Sequence, residues 1–251
     1  MKRDALLSYL DSYLEVTGVQ DYCPNGLQVE GAEEIDHIVC GVTACQALID
    51  AAVERKAQAI LVHHGILWGN KMPTITRSFR RRIHSLLEAN VNLLAYHLPL
   101  DSHMEVGNGA TVAQRLGLTA LAPFGMHRNM TVGVRAECPT GLSIDELTAK
   151  VENQLHTKAT VFANGPKTIR TVGIVTGAAD KDLPQAVEAG LDCYITGEIS
   201  EFVMHFAREE GIHFIAAGHH ATERWGVQAL GAHLVQEHAL TMEYVDIPNP
   251  A

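Results

Sequence analysis

Two adjacent histidines, His63 and His64, end an apolar run and form the most informative chemical feature of this chain. The segment that contains them, residues 52–65, recurs about 130 residues later as residues 186–198. A gapless alignment of the two copies places His64 opposite Glu198. Imidazole and carboxylate groups are ligand types that divalent metal ions bind in proteins.

Each copy has a second polar ending further along the chain. His97 and Asp101 follow one apolar run, and His219 and Glu223 follow the equivalent run in the second copy. Each half therefore delivers an imidazole and, four residues later, a carboxylate just beyond a predicted strand. Packing so many titratable groups together is costly unless a cation compensates for it. If the two halves bring these groups to one point, they form a metal site.

The residue types narrow the choice of metal. Mixed imidazole and carboxylate ligands without thiolate favour Zn(II), Mn(II), Fe(II), Co(II) or Ni(II) over Mg(II) or a structural cysteine–zinc site. Side chains alternate along extended backbone, so His63 and His64 suit two neighbouring metal ions better than one. Either Asp101 or Glu223 could then bridge the pair. Two metal ions would generate hydroxide near neutral pH and stabilise both the attacking and the leaving oxygen.

Other candidates carry weaker signals. Trp68 could stack on a base and Lys71 could contact a phosphate, although core packing and solvation explain these residues better. Thr43 and Thr176 end equivalent strands, where N-capping of the next helix is a sufficient explanation. The sequence contains no glycine-rich phosphate loop and no GxSxG nucleophile elbow.

The elements that must position these residues alternate between strand and helix, which predicts parallel strands with helices packed on the sheet. Ser143 and Glu146 form a capping box that opens a helix. Pro99 lies between His97 and Asp101 and predicts a loop there, whereas residues 123–129 are interpreted as a junction. Strands are predicted at residues 35–42, 59–62, 92–96, 131–136, 171–176, 193–196, 213–217 and 241–247.

The repeat unit, about 100 residues long, is too long for a solenoid. We interpret it as the duplication of one α/β unit that gives two pseudo-twofold-related domains; the alternative is chance similarity between two common β-α-β patterns. The predicted first domain comprises residues 1–125 joined by the C-terminal strand at residues 240–251, and the second comprises residues 126–239.

The composition of the 251 residues, 47% of them hydrophobic, is that of an ordinary globular protein. No apolar run is long enough to span a membrane and the N-terminus lacks a cleavage site, so we expect a cytoplasmic protein. Five scattered cysteines indicate reduced, packed thiols.

The net charge of −10 argues against broad nucleic-acid binding. The arginine-rich run at residues 77–82 is typical of a solvated helix face; the alternative is an anchor for a substrate phosphate.

Six short motifs together resemble the GTP cyclohydrolase I type 2 family, also called the NGG-interacting-factor-three-like dinuclear metal proteins. They lie at residues 24–30, 41–43, 62–65, 97–101, 195–198 and 218–223. The resemblance runs from about residue 20 to the C-terminus and is to the short bacterial form, which lacks a long central insert. It implies an α/β fold of two interlinked domains with mixed sheets flanked by helices.

The resemblance also implies a toroidal homohexamer with two divalent metal ions per subunit. The family's ligands correspond to His63, His64, Asp101, His219 and Glu223 in this sequence. His97 and Glu198 match polar residues that are expected beside the metals.

Our leading hypothesis is a metal-dependent hydrolase that acts on a purine nucleotide or a related ring. In it, His97 shuttles protons and Glu198 orients water or ligand. The competing hypothesis is a non-catalytic, metal-loaded hexameric scaffold or regulator that binds a partner or damaged nucleic acid. A third hypothesis is a structural metal that staples the two halves together. None of the three involves a membrane partner.

Overall fold

The computed structural model describes residues 1–69 and 73–251; Lys71, the candidate for phosphate contact, lies outside the described residues. The chain forms two compact units, Met1–Leu100 with Gly226–Pro248, and Asp101–Trp225 with Asn249–Ala251. The domain boundary predicted at residue 125 falls inside the second unit, because apolar residues between 110 and 118 pack in the core of that unit. The boundary predicted at residue 239 falls inside the C-terminal segment of the first unit.

The first unit is built on a five-stranded sheet in the order β1-β4-β3-β2-β11. Its neighbouring strands are parallel except for β1, which runs antiparallel to β4. Its elements are α1 (Arg3–Tyr13), β1 (Gly26–Val29), β2 (His37–Thr43), α2 (Gln46–Glu54), β3 (Ala59–His64), α3 (Arg77–Glu88), β4 (Asn92–Ala95) and β11 (Thr241–Tyr244). Strands β2 to β4 are almost continuously apolar, which suits parallel strands buried on both faces.

Two helices of the first unit show how sequence spacing selects the buried face. In α1, Leu6 and Leu10 lie four residues apart and are both buried, as is Leu14 at its end. In α3, Leu86 is buried, whereas Arg77 and Arg80 are exposed as a solvated helix face requires.

The second unit is built on a six-stranded sheet in the order β5-β6-β8-β9-β10-β7. Only β8, β9 and β10 are parallel to one another, and the other pairs are antiparallel. The fold class is therefore α/β with two mixed sheets flanked by helices, as predicted. The elements that lie wholly in this unit are α5 (Asn108–Arg115), β5 (Thr119–His127), β6 (Met130–Leu142), α6 (Ile144–Leu155), β7 (Thr160–Phe162), β8 (Ile169–Ile174), α7 (Leu183–Glu188), β9 (Cys193–Thr196), α8 (Val203–Glu210) and β10 (His213–Ala216). Two helices, α4 (Leu98–Asp101) and α9 (His219–Glu237), contribute residues to both units.

Two local predictions were wrong because of proline. Residues 123–129 form no junction: β5 and β6 make an antiparallel hairpin in which Pro123 pairs with Val134. Strand β5 lies at the edge of its sheet, where a residue without an N–H is tolerated. The segment around Pro99 is a single helical turn, α4, rather than a loop. Proline in the first turn of a helix removes an N–H that has no intrahelical partner.

The capping box predicted at the start of α6 is present. The Ser143 hydroxyl accepts from the Glu146 N–H, and the Glu146 carboxylate accepts from the Ser143 N–H. All five cysteines are free, and four of them are buried. Among the helices in the described part of the chain, none combines the length and the hydropathy needed to cross a membrane. The cytoplasmic location stays a prediction.

Candidate metal centre

Three imidazoles of the first unit, those of His63, His64 and His97, form what we call the imidazole cluster. His63 and His64 are the last two residues of β3, and His97 follows the end of the neighbouring strand β4. One nitrogen from each ring lies within 4.8 Å of the others. The ring centroid of His63 is 4.7 Å from that of His64 and 4.9 Å from that of His97. The arrangement therefore offers three nitrogen donors to one small region.

The hydrogen bonds at the ends of β2 and β4 fix two of these rings. His63 is fully buried, and its Nδ1 lies 3.1 Å from the carbonyl oxygen of Tyr96. A carbonyl can only accept, so Nδ1 carries the proton and Nε2 is the nitrogen suited to a metal. His64 Nδ1 lies 3.3 Å from the hydroxyl of Thr43. Thr43 therefore contacts a predicted metal ligand, and the predicted N-cap role is wrong because Cys45 holds that position in α2.

His97 is held by a carboxylate that the sequence analysis did not single out. Its Nδ1 lies 2.7 Å from Asp21 Oδ1, and its backbone N–H donates to the side-chain oxygen of Asn25 at 2.7 Å. The other carboxylate oxygen of Asp21 accepts from the Asn25 amide and from the Leu98 N–H, both at 2.9 Å. Asp21 and Asn25 belong to a segment rich in turn-forming residues, residues 21–26. Their four-residue spacing at the start of the first family motif, residues 24–30, was the signal in the sequence that could have identified them.

The environment of Asp21 favours its ionised form. Burial alone would raise the pKa of this carboxyl, whose side chain is only 2% exposed. The hydrogen bond from His97, the charge of that ring when protonated, and the bonds from Asn25 and Leu98 outweigh burial and lower the pKa to about 2. Asp21 is therefore a permanent acceptor for the His97 N–H at neutral pH.

The second unit holds four further predicted site residues, Asp101, Glu198, His219 and Glu223, which we call the carboxylate cluster. Glu198 follows the end of β9, and His219 and Glu223 occupy the first turn of α9. Four-residue spacing places these two on one helix face, with His219 Nε2 3.0 Å from Glu223 Oε2. His219 Nδ1 lies 2.5 Å from Glu198 Oε1. Glu198 thus contacts the imidazole of a predicted metal ligand and is placed to orient it.

Two carboxylates around one imidazole favour a cation at this position. Burial alone would lower the pKa of His219, but the hydrogen bonds and charges of Glu223 and Glu198 raise it to about 9. A ring held between two acids in this way keeps a proton at neutral pH unless a metal ion takes the proton's place.

The remaining carboxylate of the cluster, Asp101, lies at the end of α4 and contacts the residues that follow β8. Asp101 Oδ1 accepts from the Asn108 amide at 2.9 Å and from the Thr176 hydroxyl at 3.4 Å. A Cβ on the next residue, Gly177, would lie 2.1 Å from Glu223 Oε1. Asp101 and Glu223 therefore flank consecutive residues beyond β8. Thr176 contacts Asp101 and caps no helix, so its predicted N-cap role is also wrong.

The residues present fit a divalent metal ion. Imidazole nitrogens and carboxylate oxygens are the donors that such ions take in hydrolytic sites, and no thiolate stands among them. The lack of a side chain at Gly177 lets Glu223 and His219 approach the backbone closely, since a Cβ there would lie 2.1 Å from Glu223 Oε1 and 3.2 Å from His219 Nε2. All seven predicted site residues fall in one or other of the two clusters.

The fold is α/β with two mixed sheets, and histidines and acids lie at the ends of its strands. Together these features define the chain as an α/β protein with a candidate metal centre. Residues 1–250 match the family described as Duf34/NIF3 (NGG1p interacting factor 3), and the chain belongs to this family. The resemblance drawn from the six motifs is confirmed.

Proteins similar to this one along nearly their whole length have been described. The GTP cyclohydrolase 1 type 2 homolog of Pseudomonas aeruginosa is 44% identical over 246 residues, which cover 98% of this chain and 97% of the relative. The protein of the same name from Pasteurella multocida is 46% identical over 243 residues, 96% of each chain. A solved structure described as protein ybgI, of unknown function, superposes with a TM-score of 0.94 at 41% identity and full coverage of both chains.

Proposed function

We propose that this protein is a metal-dependent hydrolase of the GTP cyclohydrolase type that acts on a purine nucleotide or a related ring. The observation that carries the proposal is the imidazole cluster, whose three donor nitrogens lie within 4.8 Å of one another. The name of the relatives, GTP cyclohydrolase 1 type 2 homolog, supports the substrate class.

The proposed ligands are His63, His64, Asp101, His219 and Glu223, which would hold two divalent ions per subunit. Zn(II), Mn(II), Fe(II), Co(II) and Ni(II) are the ions that suit these donors. Such ions would lower the pKa of coordinated water and stabilise charge that develops on oxygen during hydrolysis.

His97 is the proposed proton carrier. Its Nδ1–H is committed to Asp21, so Nε2 is the nitrogen that can accept a proton and return it. Ionised Asp21 holds the ring through Nδ1 in one tautomer and orientation, as a carboxylate does for the histidine of a hydrolase triad. In the second unit, Glu198 fixes His219 through Nδ1 and leaves Nε2 directed at Glu223.

The decisive experiment compares metal content and turnover in one set of proteins. Glu223→Gln should lose bound metal and hydrolysis of GTP together, because one ligand oxygen becomes an amide nitrogen. Glu201→Gln, which alters an exposed acid three residues from Glu198, is the matched control and should retain both. Metal is measured by plasma mass spectrometry and ring hydrolysis by the change in purine absorbance.

Three results would overturn the proposal. Full turnover by metal-free protein would remove the metal from the reaction. Full metal occupancy without hydrolysis of any purine nucleotide would instead support the alternative of a metal-loaded scaffold or regulator. Loss of thermal stability on chelation, again without turnover, would support a purely structural metal.

We also propose that the chain assembles into the ring-shaped homohexamer that the family resemblance implies. Light scattering coupled to size-exclusion chromatography measures this directly. A mass near six times 27.3 kDa supports the ring, and a monomer at micromolar concentration rejects it.

A further inference from the structure

Trp68 is an exposed aromatic residue that is nevertheless held in place. It keeps 43% of its surface accessible, which excludes core packing as its purpose. Its indole N–H donates to the Gly65 carbonyl oxygen at 3.0 Å. The ring therefore has a fixed orientation although solvent reaches it.

The segment that carries Trp68 is anchored on both sides. Gln28 Oε1 accepts from the backbone N–H groups of Ile66 and Leu67, at 2.8 and 3.2 Å. The Gly69 N–H donates to the Tyr22 carbonyl oxygen at 2.6 Å. These hydrogen bonds already order the loop in the free protein. A ligand that binds there therefore causes little further loss of conformational entropy.

Trp68 and Tyr22 stand beside the imidazole cluster. The Trp68 ring meets His97 edge to face with centroids 5.2 Å apart, and its centroid is 5.7 Å from that of His64. The Tyr22 ring is 6.3 Å from His97 and is 44% exposed. Two accessible aromatic rings thus border the histidines proposed to carry the chemistry.

The geometry points to a recognition site for a planar nitrogen heterocycle, such as a purine base, formed by Trp68 and Tyr22 at the rim of the imidazole cluster. A flat, polarisable ring gains stacking energy on an aromatic side chain that is already immobilised. This inference rests on the proposed function for its ligand class and extends it to the residues that select the ring. It predicts that the heterocycle binds both to the metal-loaded and to the metal-free protein.

The test is equilibrium binding of purine ligands to the full-length protein, with and without chelator. The chain has two tryptophans, so a Trp225→Phe protein reports on Trp68 alone by fluorescence. Trp225 is already covered by the guanidinium of Arg115, 3.5 Å from its ring centroid. Guanosine and GTP should quench the Trp68 emission saturably, and ribose 5-phosphate, which lacks the base, should leave it unchanged.

Three substitutions test whether the Trp68 ring itself binds the base. In equilibrium dialysis, Trp68→Ala should bind guanosine on the order of tenfold more weakly than the parent. Trp68→Phe keeps an aromatic face and should retain most of the affinity. Phe202→Ala removes another exposed aromatic residue, in the second unit, and should have no effect.

The inference fails if Trp68→Ala binds guanosine as tightly as the parent, if ribose 5-phosphate quenches equally well, or if the parent binds no purine at millimolar concentration. Metal content and turnover measured on the same proteins distinguish this failure from failure of the hydrolase proposal. Base binding without turnover would reject only the hydrolase. Turnover with an unchanged KM in Trp68→Ala would reject only the stacking site.

Discussion

Asp21 accepts a hydrogen bond from His97 Nδ1 across 2.7 Å, although the two residues are 76 positions apart in the chain. The second unit repeats this pairing, with Glu198 Oε1 2.5 Å from Nδ1 of His219. In both units a histidine that follows a strand has one ring nitrogen bound by a carboxylate. The two carboxylates are not equivalent in the repeat, because Glu198 aligns with His64 and Asp21 precedes the first copy. The two units therefore orient their histidines in the same way but with acids from different positions of the chain.

We expect Asp21→Asn to reduce turnover about 10- to 100-fold while bound metal stays near the parent level, because the variant removes the charge that holds and polarises His97. Turnover and metal content are measured on the same preparation. Asp36→Asn, which changes an acid whose side chain is 84% exposed, is the control. Equal turnover in the two variants would contradict a positioning role for Asp21.

The same substitution should change the acid stability of the fold. The pKa of Asp21 is about 2 in the folded state, below its ordinary value of 3.8. A lowered folded-state pKa contributes stability that is fully present above pH 4 and is lost as the pH falls through 2. Asp21→Asn should therefore lower the free energy of unfolding by about 2 kcal/mol at pH 7 and by much less at pH 2. Urea denaturation at both pH values measures the difference, and an equal loss at both would contradict the assignment.

Metal binding should release a proton from His219. In the metal-free protein the pKa of His219 is about 9, so this ring is protonated throughout the neutral range. One competing proton makes the apparent metal affinity rise about tenfold per pH unit up to pH 9 and level off above it. Metal titration against a competing chelator between pH 6.5 and 9.5 tests this.

Two variants sharpen the pH measurement. Glu198→Gln removes one of the acids that raise the His219 pKa, so its affinity curve should level off at lower pH. His205→Asn, at an exposed position of α8, should follow the parent curve. An affinity independent of pH in the parent would exclude His219 as a ligand.

The sequence located the polar ends of the strands because that information is local. An apolar run of four to seven residues followed at once by histidine or an acid can be read without knowing any neighbour. The capping box of α6 is local in the same sense, and it is present.

The parts that escaped prediction depend on residues far apart in the chain. Asp21 is not recognisable as a site residue from the sequence because its partner, His97, lies 76 positions away. Strands β1 and β7 are not marked by a long apolar run of their own, and each is defined by pairing with a distant strand, β4 and β10 respectively. Pro123 and Pro99 each predict an interruption of regular structure. A missing N–H is tolerated at the edge of a sheet and in the first turn of a helix, and only the fold shows that these two prolines occupy such positions.

Gly197, the residue that aligns with His63 in the repeat, should tolerate no side chain. A Cβ there would lie 2.7 Å from both the Gly177 carbonyl oxygen and the His219 Cα. These are backbone atoms that cannot move aside, so Gly197→Ala should lower the free energy of unfolding by about 3 kcal/mol. Gly190→Ala meets no atom within 4 Å and suffers only the strain of its positive φ, about 1 kcal/mol. Urea denaturation ranks the two, and equal losses would contradict the close approach.

Thr176→Val should weaken metal binding with little change in the fold. Valine matches threonine in shape but removes the hydroxyl that donates to Asp101 Oδ1, an oxygen that also accepts from the Asn108 amide. A hydrogen bond of this length is worth about 1 kcal/mol or less, so the affinity for metal should fall roughly three- to fivefold. Thr140→Val, at an exposed position of β6, is the matched control. If Thr176→Val binds metal as tightly as the parent and Thr140→Val do, the position of Asp101 does not depend on the Thr176 hydroxyl.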